Sequence, residues 1–450
     1  MRCLSARKSQ EGHRFHSVLV HHPQPHQQTA YASGREVGAR SMIDNTNVQI
    51  DEPNRWRLKT PGHQGWKRTA RPDDPNRYLM ISVDCHANEP GGLWLERMDK
   101  KYHSRLPRIE VDTNGVKWSV SEGNQRSRLL ESKLQGEDAE RNRAGATPAE
   151  RIRDHRRDGI DAEILFPNKG LSMWATTDAD FGAAQCRVWN DWAWEMFRSY
   201  NDFMSPAAAI MTADINLGIE EIKRVAKLGF RAINLPCKPI YGPHDARHPN
   251  YNMSQFDPLW AVIQDCDLPI TFHIATGRDP RAARKDGGAI INYSAHALAP
   301  TVEPIASLCA SGVLERFPGL RFIAIECGIG WIPWLLETMD EASRKHHMWA
   351  FPKLKKLPSE YFREHGAASF QDDPVGCALA EPLHLIDNFQ WDNDYPHHEG
   401  SWPHSAESIE RQMGGLKDES RAKILGLNAA KMFKFDVAGL LRRRTSPVLN

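Results

Sequence analysis

Apolar positions along the chain fall into two alternating patterns. Tyr78-Leu79-Met80-Ile81-Ser82-Val83 is a short, nearly unbroken apolar run, which predicts a strand buried on both faces. Downstream, Ile219, Ile222, Val225 and Ala226 recur at helical spacing. Gly229 then supplies a stop, and Phe230-Arg-Ala-Ile233-Asn-Leu235-Pro236 reads as the next strand. Phe256, Leu259, Trp260 and Ile263 share one helix face ahead of the strand Leu268–Ile274. A helix over Ile305–Ala310 precedes the strand Leu320–Glu326. The predicted strands are 78–86, 161–167, 206–212, 230–236, 269–275, 320–327, 365–370 and 387–394. Doubly buried strands alternating with helices imply a parallel sheet covered on both faces. Eight of them predict an α/β fold closed as a (β/α)8 TIM barrel. An open doubly wound sheet is the alternative, but no GxGxxG or GxxxxGK[ST] segment follows any strand.

Two stretches break the alternation. Residues 1–75 are polar, rich in His, Gln, Arg and Pro, and aperiodic, so a disordered extension is expected there. Residues 87–150 are too long and charged for an ordinary loop and predict an insertion or lid after the first strand. The barrel domain then spans 76–440, and 441–450, with Arg442-Arg443-Arg444, forms a basic, solvated tail.

Composition narrows the function classes. The 58 basic and 57 acidic side chains leave a net charge of +1, which argues against a nucleic-acid partner. Eight scattered cysteines with no CxxC pair suggest reduced thiols and a cytoplasmic protein. No apolar run spans a bilayer and no secretory segment opens the chain, so no membrane partner is expected.

In such a barrel the chemistry sits at the carboxyl ends of the strands. The first strand ends in Asp84-Cys85-His86, with Glu89 beyond. The fifth ends in His273, the sixth in Glu326 and the eighth in Asp392-Asn393-Asp394. Asp84 and His86 are two apart and share a face. Barrel closure brings Asp394 beside them, and His273 enters from the opposite wall. A mixed imidazole and carboxylate set suits a divalent metal ion, zinc first, with manganese or iron as alternatives, one ion or two. Asp394 and Glu326 are the candidate catalytic groups, able to move a proton, and Glu326 is also a candidate ligand. Asn168, Tyr293, His296 and His397 are candidate substrate contacts, as is Lys285. His398 and His404 are weaker candidates, and Asp373 reads as a helix cap before Pro374.

These segments resemble the amidohydrolase-related family of TIM-barrel metal-dependent hydrolases and decarboxylases. The resemblance runs from about 78 to 435. It rests on Ser82-Val-Asp84-Cys-His86-Ala-Asn-Glu89-Pro90, Leu165-Phe-Pro-Asn168, Phe272-His273, Gly312–Leu320, Glu326-Cys-Gly-Ile-Gly-Trp331-Ile-Pro and Asn393-Asp394-Tyr-Pro-His397-His-Glu399-Gly. It implies that His86 stands at the second histidine of the family's first-strand pair and Asp84 at the first. His273 and Asp394 match the fifth- and eighth-strand ligands. Many family decarboxylases carry a catalytic histidine where this chain has Glu326. The leading expectation is a hydrolase acting on a small organic molecule through a metal-activated water. The alternatives are a non-oxidative decarboxylase (a carboxy-lyase), a non-haem di-iron oxygenase, and a non-catalytic subunit supporting an active paralogue. A homo-oligomer is expected, with a hetero-oligomer of two related barrels as the alternative.

Overall fold

The computed structural model describes residues 50–122, 127–128, 134–240, 248–277 and 286–445. Eight parallel strands pair in chain order: β1 (Ile81–Ala87), β2 (Ala162–Pro167), β3 (Met204–Ala209), β4 (Ala232–Leu235), β5 (Ile270–His273), β6 (Phe322–Ile325), β7 (Gly366–Phe370) and β8 (Phe389–Trp391). Just past β8, the Asp394 N–H donates to Asp84 O (3.1 Å) and the His86 N–H to Tyr395 O (2.7 Å), which closes the ring. The protein is therefore a (β/α)8 TIM barrel. All eight expected strands are present, each within a few residues of its expected bounds.

β1 carries a detail that sets up the site. Its pairing with β2 runs Ile81 to Ala162 and Ser82 to Glu163, then resumes at Cys85 opposite Leu165. Across this irregularity the odd-numbered residues change sides. Ile81 and Val83 pack with Ile164, Phe166 and Ala207, whereas Cys85 and Ala87 pack with Leu165, Leu171 and Trp189. A bulge that re-aims side chains is a common device at barrel rims and active sites.

The helices follow the expected chemistry. The helix α1 (Pro148–Asp158) begins at a Thr147–Glu150 capping box. The helix α2 (Ile215–Leu228) is capped by Asp214 and stops at Gly229, whose φ of 105° is readily adopted only by glycine. Trp189, Trp192 and Phe197 are core residues, while Trp194 stacks on Phe230 at 5.0 Å. Trp331 is partly buried and Trp334 is exposed. All seven described cysteines are free thiols. Among the described residues, no helix is long and apolar enough to cross a membrane.

Residues 87–150 carry structure of their own. They include a helix at Leu93–Arg97, antiparallel strands at Arg108–Val111 and Lys117–Val120 joined by the short Ser127–Arg128, and a helix at Gly136–Arg141. Two expectations about the ends need correction. Residues 50–75 are not a loose extension. Arg71 forks onto Glu407 and Glu410, Arg68 pairs with Asp418, and Arg57 is buried against the loop after β8. Nor is Arg444 a solvated tail residue: it closes a helix at Val437–Thr445 and binds Asp161 and Tyr78 O. Both segments are held by ion pairs with sequence-remote partners, which leave no local periodicity. Residues 1–49 and 446–450, and Lys285, lie outside the described residues.

Candidate metal centre

At the carboxyl mouth of the barrel, β1 delivers Asp84 and His86, β5 delivers His273, and the turns after β6 and β8 deliver Glu326 and Asp394. One atom each from Asp84, His86, His273 and Glu326 falls within a sphere where all separations are 4.8 Å or less. Asp84 Oδ1 is 3.5 Å from His86 Nε2 and 3.3 Å from His273 Nε2. Asp394 Oδ1 lies 3.4 Å from His86 Nε2, and Glu326 Oε2 lies 3.7 Å from His273 Nε2. All five residues are buried. The structure thus brings together every residue proposed from the sequence as a ligand. Glu326 and Asp394 adopt positive φ of 58° and 48°. Such backbone is costly for a non-glycine residue and concentrates at functional sites.

The hydrogen bonding of the two histidines tests whether a cation fits. His86 Nδ1 lies 3.0 Å from Pro167 O and His273 Nδ1 lies 2.9 Å from Ile274 O. A carbonyl can only accept, so each Nδ1 carries the proton and donates it. In neutral rings both Nε2 atoms then present lone pairs, and they face each other at 3.3 Å. Burial and the neighbouring His397 and His273 rings hold the His86 pKa well below the usual value, which keeps that ring neutral. A cation between two such lone pairs relieves their repulsion. Pinning the far nitrogen to a carbonyl is also how metal-bound histidines are normally oriented. Both carboxylate oxygens of Asp84 and of Asp394 are buried without a hydrogen-bond partner. Buried anionic oxygens of this kind are otherwise very costly. The residues present fit a divalent metal ion.

The protonation of the carboxylates follows from crowding. Burial, then the charges of Asp394 and Asp84, push the Glu326 carboxyl well above the usual range. Asp394 is raised in the same way, by burial and then by Asp84, Glu399 and Asp392. Asp392, also buried, is raised by burial and by Asp84, against the lowering effect of a hydrogen bond with Ser369. The sequence reading passed through Asp392 and Glu399 without assigning either. The alternation Asp392/Asp394 on one strand end was the available signal for Asp392. Glu399 joins Glu326 and Asp394 in a second close carboxylate group.

His397 stacks on His86 with ring centroids 4.0 Å apart, and its Nδ1 is 2.8 Å from Asp394 Oδ1, though out of line for a hydrogen bond. Its Nε2 lies 3.4 Å from Asn168 Oδ1, and Asn168 donates to Asn88 Oδ1 at 2.7 Å. Asn168 and His397 therefore adjoin the ligand set. Tyr293 is partly exposed. Burial of its phenol, then the charges of Glu326, Glu399 and Asp394, raise its pKa. His296 lies in the same segment, partly buried with Nδ1 unpartnered, and is not among the converging groups. Three other residues are structural. Glu89 accepts from the Lys169 and Gly170 N–H groups, Asp373 caps the helix at Pro374, and His404 faces Glu137.

Comparison with known proteins agrees with the barrel fold. The family described as Amidohydrolase matches residues 83–435. A gamma-resorcylate decarboxylase of Polaromonas sp. (strain JS666 / ATCC BAA-500) is 24% identical over 300 residues, covering 62% of this chain and 84% of that protein. An amidohydrolase from Mycobacterium avium subsp. paratuberculosis K-10 superposes with a TM-score of 0.63 at 19% identity, over 80% of this chain and 99% of that one. A dihydroxybenzoic acid decarboxylase from Polaromonas sp. JS666, solved with manganese and 2-nitroresorcinol, gives 0.56 at 20% identity, over 81% and 99%. From its matched span and its barrel, this chain belongs to the amidohydrolase family.

Proposed function

We propose that the protein is a metal-dependent decarboxylase of small aromatic carboxylic acids. The observation that carries this reading is Asp394, a buried carboxylate with neither oxygen hydrogen-bonded, beside the ligand histidines and raised in proton affinity. Decarboxylation needs such a group. When the bond from ring to carboxylate breaks, carbon dioxide leaves and the electron pair remains on the ring carbon, which must take a proton. Asp394, its proton affinity raised by burial and by the neighbouring carboxylates, would take up that proton and deliver it to the ring carbon. Relatives that decarboxylate hydroxybenzoates favour this reading over hydrolysis, the leading expectation from sequence.

A bound divalent cation would hold the substrate carboxylate and withdraw charge from it. Asp84, His86, His273 and Asp394 would hold the cation, with Glu326 as a further ligand. Three carboxylates with two imidazoles make an oxygen-rich set that suits manganese as well as zinc. A decarboxylase of similar fold contains manganese, and we place manganese ahead of zinc. If Glu326 stays outside the cation's ligands, its raised proton affinity would let it donate a hydrogen bond to a substrate oxygen instead. Asn168, His397 and Tyr293 would position the ring. The buried, reduced thiols suit a cytoplasmic enzyme.

The replacement of a family histidine by Glu326 favours one rival, hydrolysis by a metal-activated water. The test incubates manganese-loaded protein with ortho-hydroxylated benzoates and with amides, esters and lactones of similar size. Release of carbon dioxide with formation of the matching phenol is the expected result. Hydrolysis without carbon dioxide would overturn the proposal.

A further inference from the structure

The loop after β8 carries Asp394 and His397, and it is gripped from behind by two buried arginines from remote parts of the chain. Arg141, fully buried, ends the insertion helix. It donates to His398 O (2.8 Å), Gly400 O (2.6 Å) and Trp402 O. Arg57, from the segment before the barrel, donates to the same Gly400 O (2.8 Å) and His398 O (2.9 Å). The two guanidiniums thus share carbonyls on one short stretch of backbone.

This arrangement is electrostatically expensive. Burial, followed by the nearby Arg57 charge, pulls the Arg141 pKa down to about 10, and Arg57 is also lowered by burial. Among the described residues, neither guanidinium has a carboxylate as a direct hydrogen-bond partner. Arg57 Nε donates to Asn54 Oδ1, and Asn54 in turn to Asp138 Oδ1 (2.7 Å). Asp51 N–H donates to Glu137, and Glu137 N–H donates back to Asp51. The N-terminal segment and the insertion helix are therefore joined to each other as well as to the loop. The loop has no slack of its own. Ser401 N–H donates to Asn393 O (3.0 Å), and a side chain at Gly400 would meet Asn393 O at 2.3 Å and Asp394 O at 2.8 Å. Shifting the 398–402 carbonyls must therefore shift Asp394.

We propose that Arg57 and Arg141 are positioning residues for the metal centre. They hold the β8 loop so that Asp394 and His397 face His86, which makes the segment before the barrel and the insertion working parts of the site. The proposal rests on the metal-centre reading but not on which reaction the centre performs.

The test uses the full chain and two readouts that need no substrate. Manganese affinity is measured by equilibrium dialysis, and the visible spectrum of the cobalt-loaded protein reports ligand geometry. Arg57→Ala and Arg141→Ala should weaken manganese binding roughly 10- to 100-fold, the range seen when groups supporting metal ligands are removed. They should also alter the cobalt spectrum. Added guanidinium at millimolar concentration should restore both readouts in Arg57→Ala, whereas Arg57→Lys should restore them only in part, because a single ammonium lacks the rigid two-nitrogen fork that Arg57 lays on the two carbonyls. Folding is followed by circular dichroism, and Arg57→Lys stands in should Arg141→Ala fail to fold. Variants that melt lower but keep wild-type affinity and spectrum would overturn the proposal. Wild-type protein that takes up neither metal would overturn the metal-centre reading and this inference with it.

Discussion

Two clusters of buried titratable groups sit within one strand pair of each other, and they differ in one respect. At the mouth, Asp84, His86, His273, Glu326 and Asp394 face one another with lone pairs and unpartnered oxygens. Behind β1 and β2, Cys85, His155 and Glu163 also lie at ligand-like separations. There, however, Arg151 is present. Its Nε donates to Glu163 Oε1 at 2.8 Å, its Nη2 donates to Glu163 Oε2, and its Nη1 donates to His86 O at 2.8 Å. Its guanidinium covers the Tyr395 ring at 4.7 Å, and the Tyr395 hydroxyl donates to Asp154 at 2.6 Å. Cluster geometry alone does not separate a metal centre from an ion network. The deciding feature is whether the fold has already supplied the cation.

The comparison breaks most sharply at Asp394. Asp394→Asn keeps the shape of the mouth but removes the group that carries a proton. Turnover should fall roughly 10²- to 10⁴-fold, while the metal-free protein should be at least as stable as wild type, because a buried carboxyl that must either hold its proton or ionise unpartnered is gone. Steady-state assay and denaturant titration check the two halves. Retained turnover would remove Asp394 from the chemistry.

The rear cluster should answer in the opposite way. Arg151→Met leaves Glu163 buried without its cation, which costs about 3–5 kcal/mol and is read as a lower urea midpoint. An unchanged midpoint would show that the network contributes nothing. The pH dependences also diverge. Burial alone would raise Glu163, but the Arg151 and His155 charges more than offset it and hold it well below the usual range. Its contribution is therefore present above the ordinary carboxylate pKa and is lost as pH falls through the depressed folded value. Asp394, Glu326 and Asp392 have raised folded values, so the folded metal-free protein binds more protons than the unfolded chain. Their effect on stability worsens as pH rises from about 4.

A divalent ion should reverse that second trend. Manganese at a hundredfold excess over its dissociation constant should stabilise the protein by about 2.7 kcal/mol. The gain should grow with pH, as the mouth carboxylates give up protons to bind it. Thermal melts at several pH values with and without manganese check this. A gain that is flat with pH would mean that the mouth carboxylates are already ionised without metal.

How much of this was legible in the sequence follows from the range of the interactions. The eight strands were visible because each is a local apolar run, and the ligands because they terminate those runs. The irregularity in β1 was not visible, since it depends on pairing with β2. The grip of Arg57 and Arg141 on 398–402 joins residues more than 250 positions apart. Nothing near either arginine distinguishes it from a solvated one. Arg71 and Arg68 were hidden for the same reason, and so residues 50–75 read as a loose extension. The order of chemistry within the mouth was only half legible. Asp394 and Glu326 stood out as strand-end acids, while Asp392 gained meaning only once the fold showed it buried beside Asp84.

The smallest effect expected is at Asn168, which ties the two clusters together. It follows the strand that carries Glu163, and it reaches His397 beside Asp394 while donating to Asn88. Asn168→Ala removes a donor and an acceptor at the edge of the mouth without stranding a buried charge. Its stability cost should be about 0.5–1.5 kcal/mol, that of an ordinary hydrogen bond. If Asn168 positions substrate, KM should rise several-fold with kcat nearly unchanged, because such a contact acts on bound substrate and transition state alike. If it serves only to steady His397, kcat should fall and KM should hold. A variant that loses stability and moves neither constant would remove Asn168 from the site.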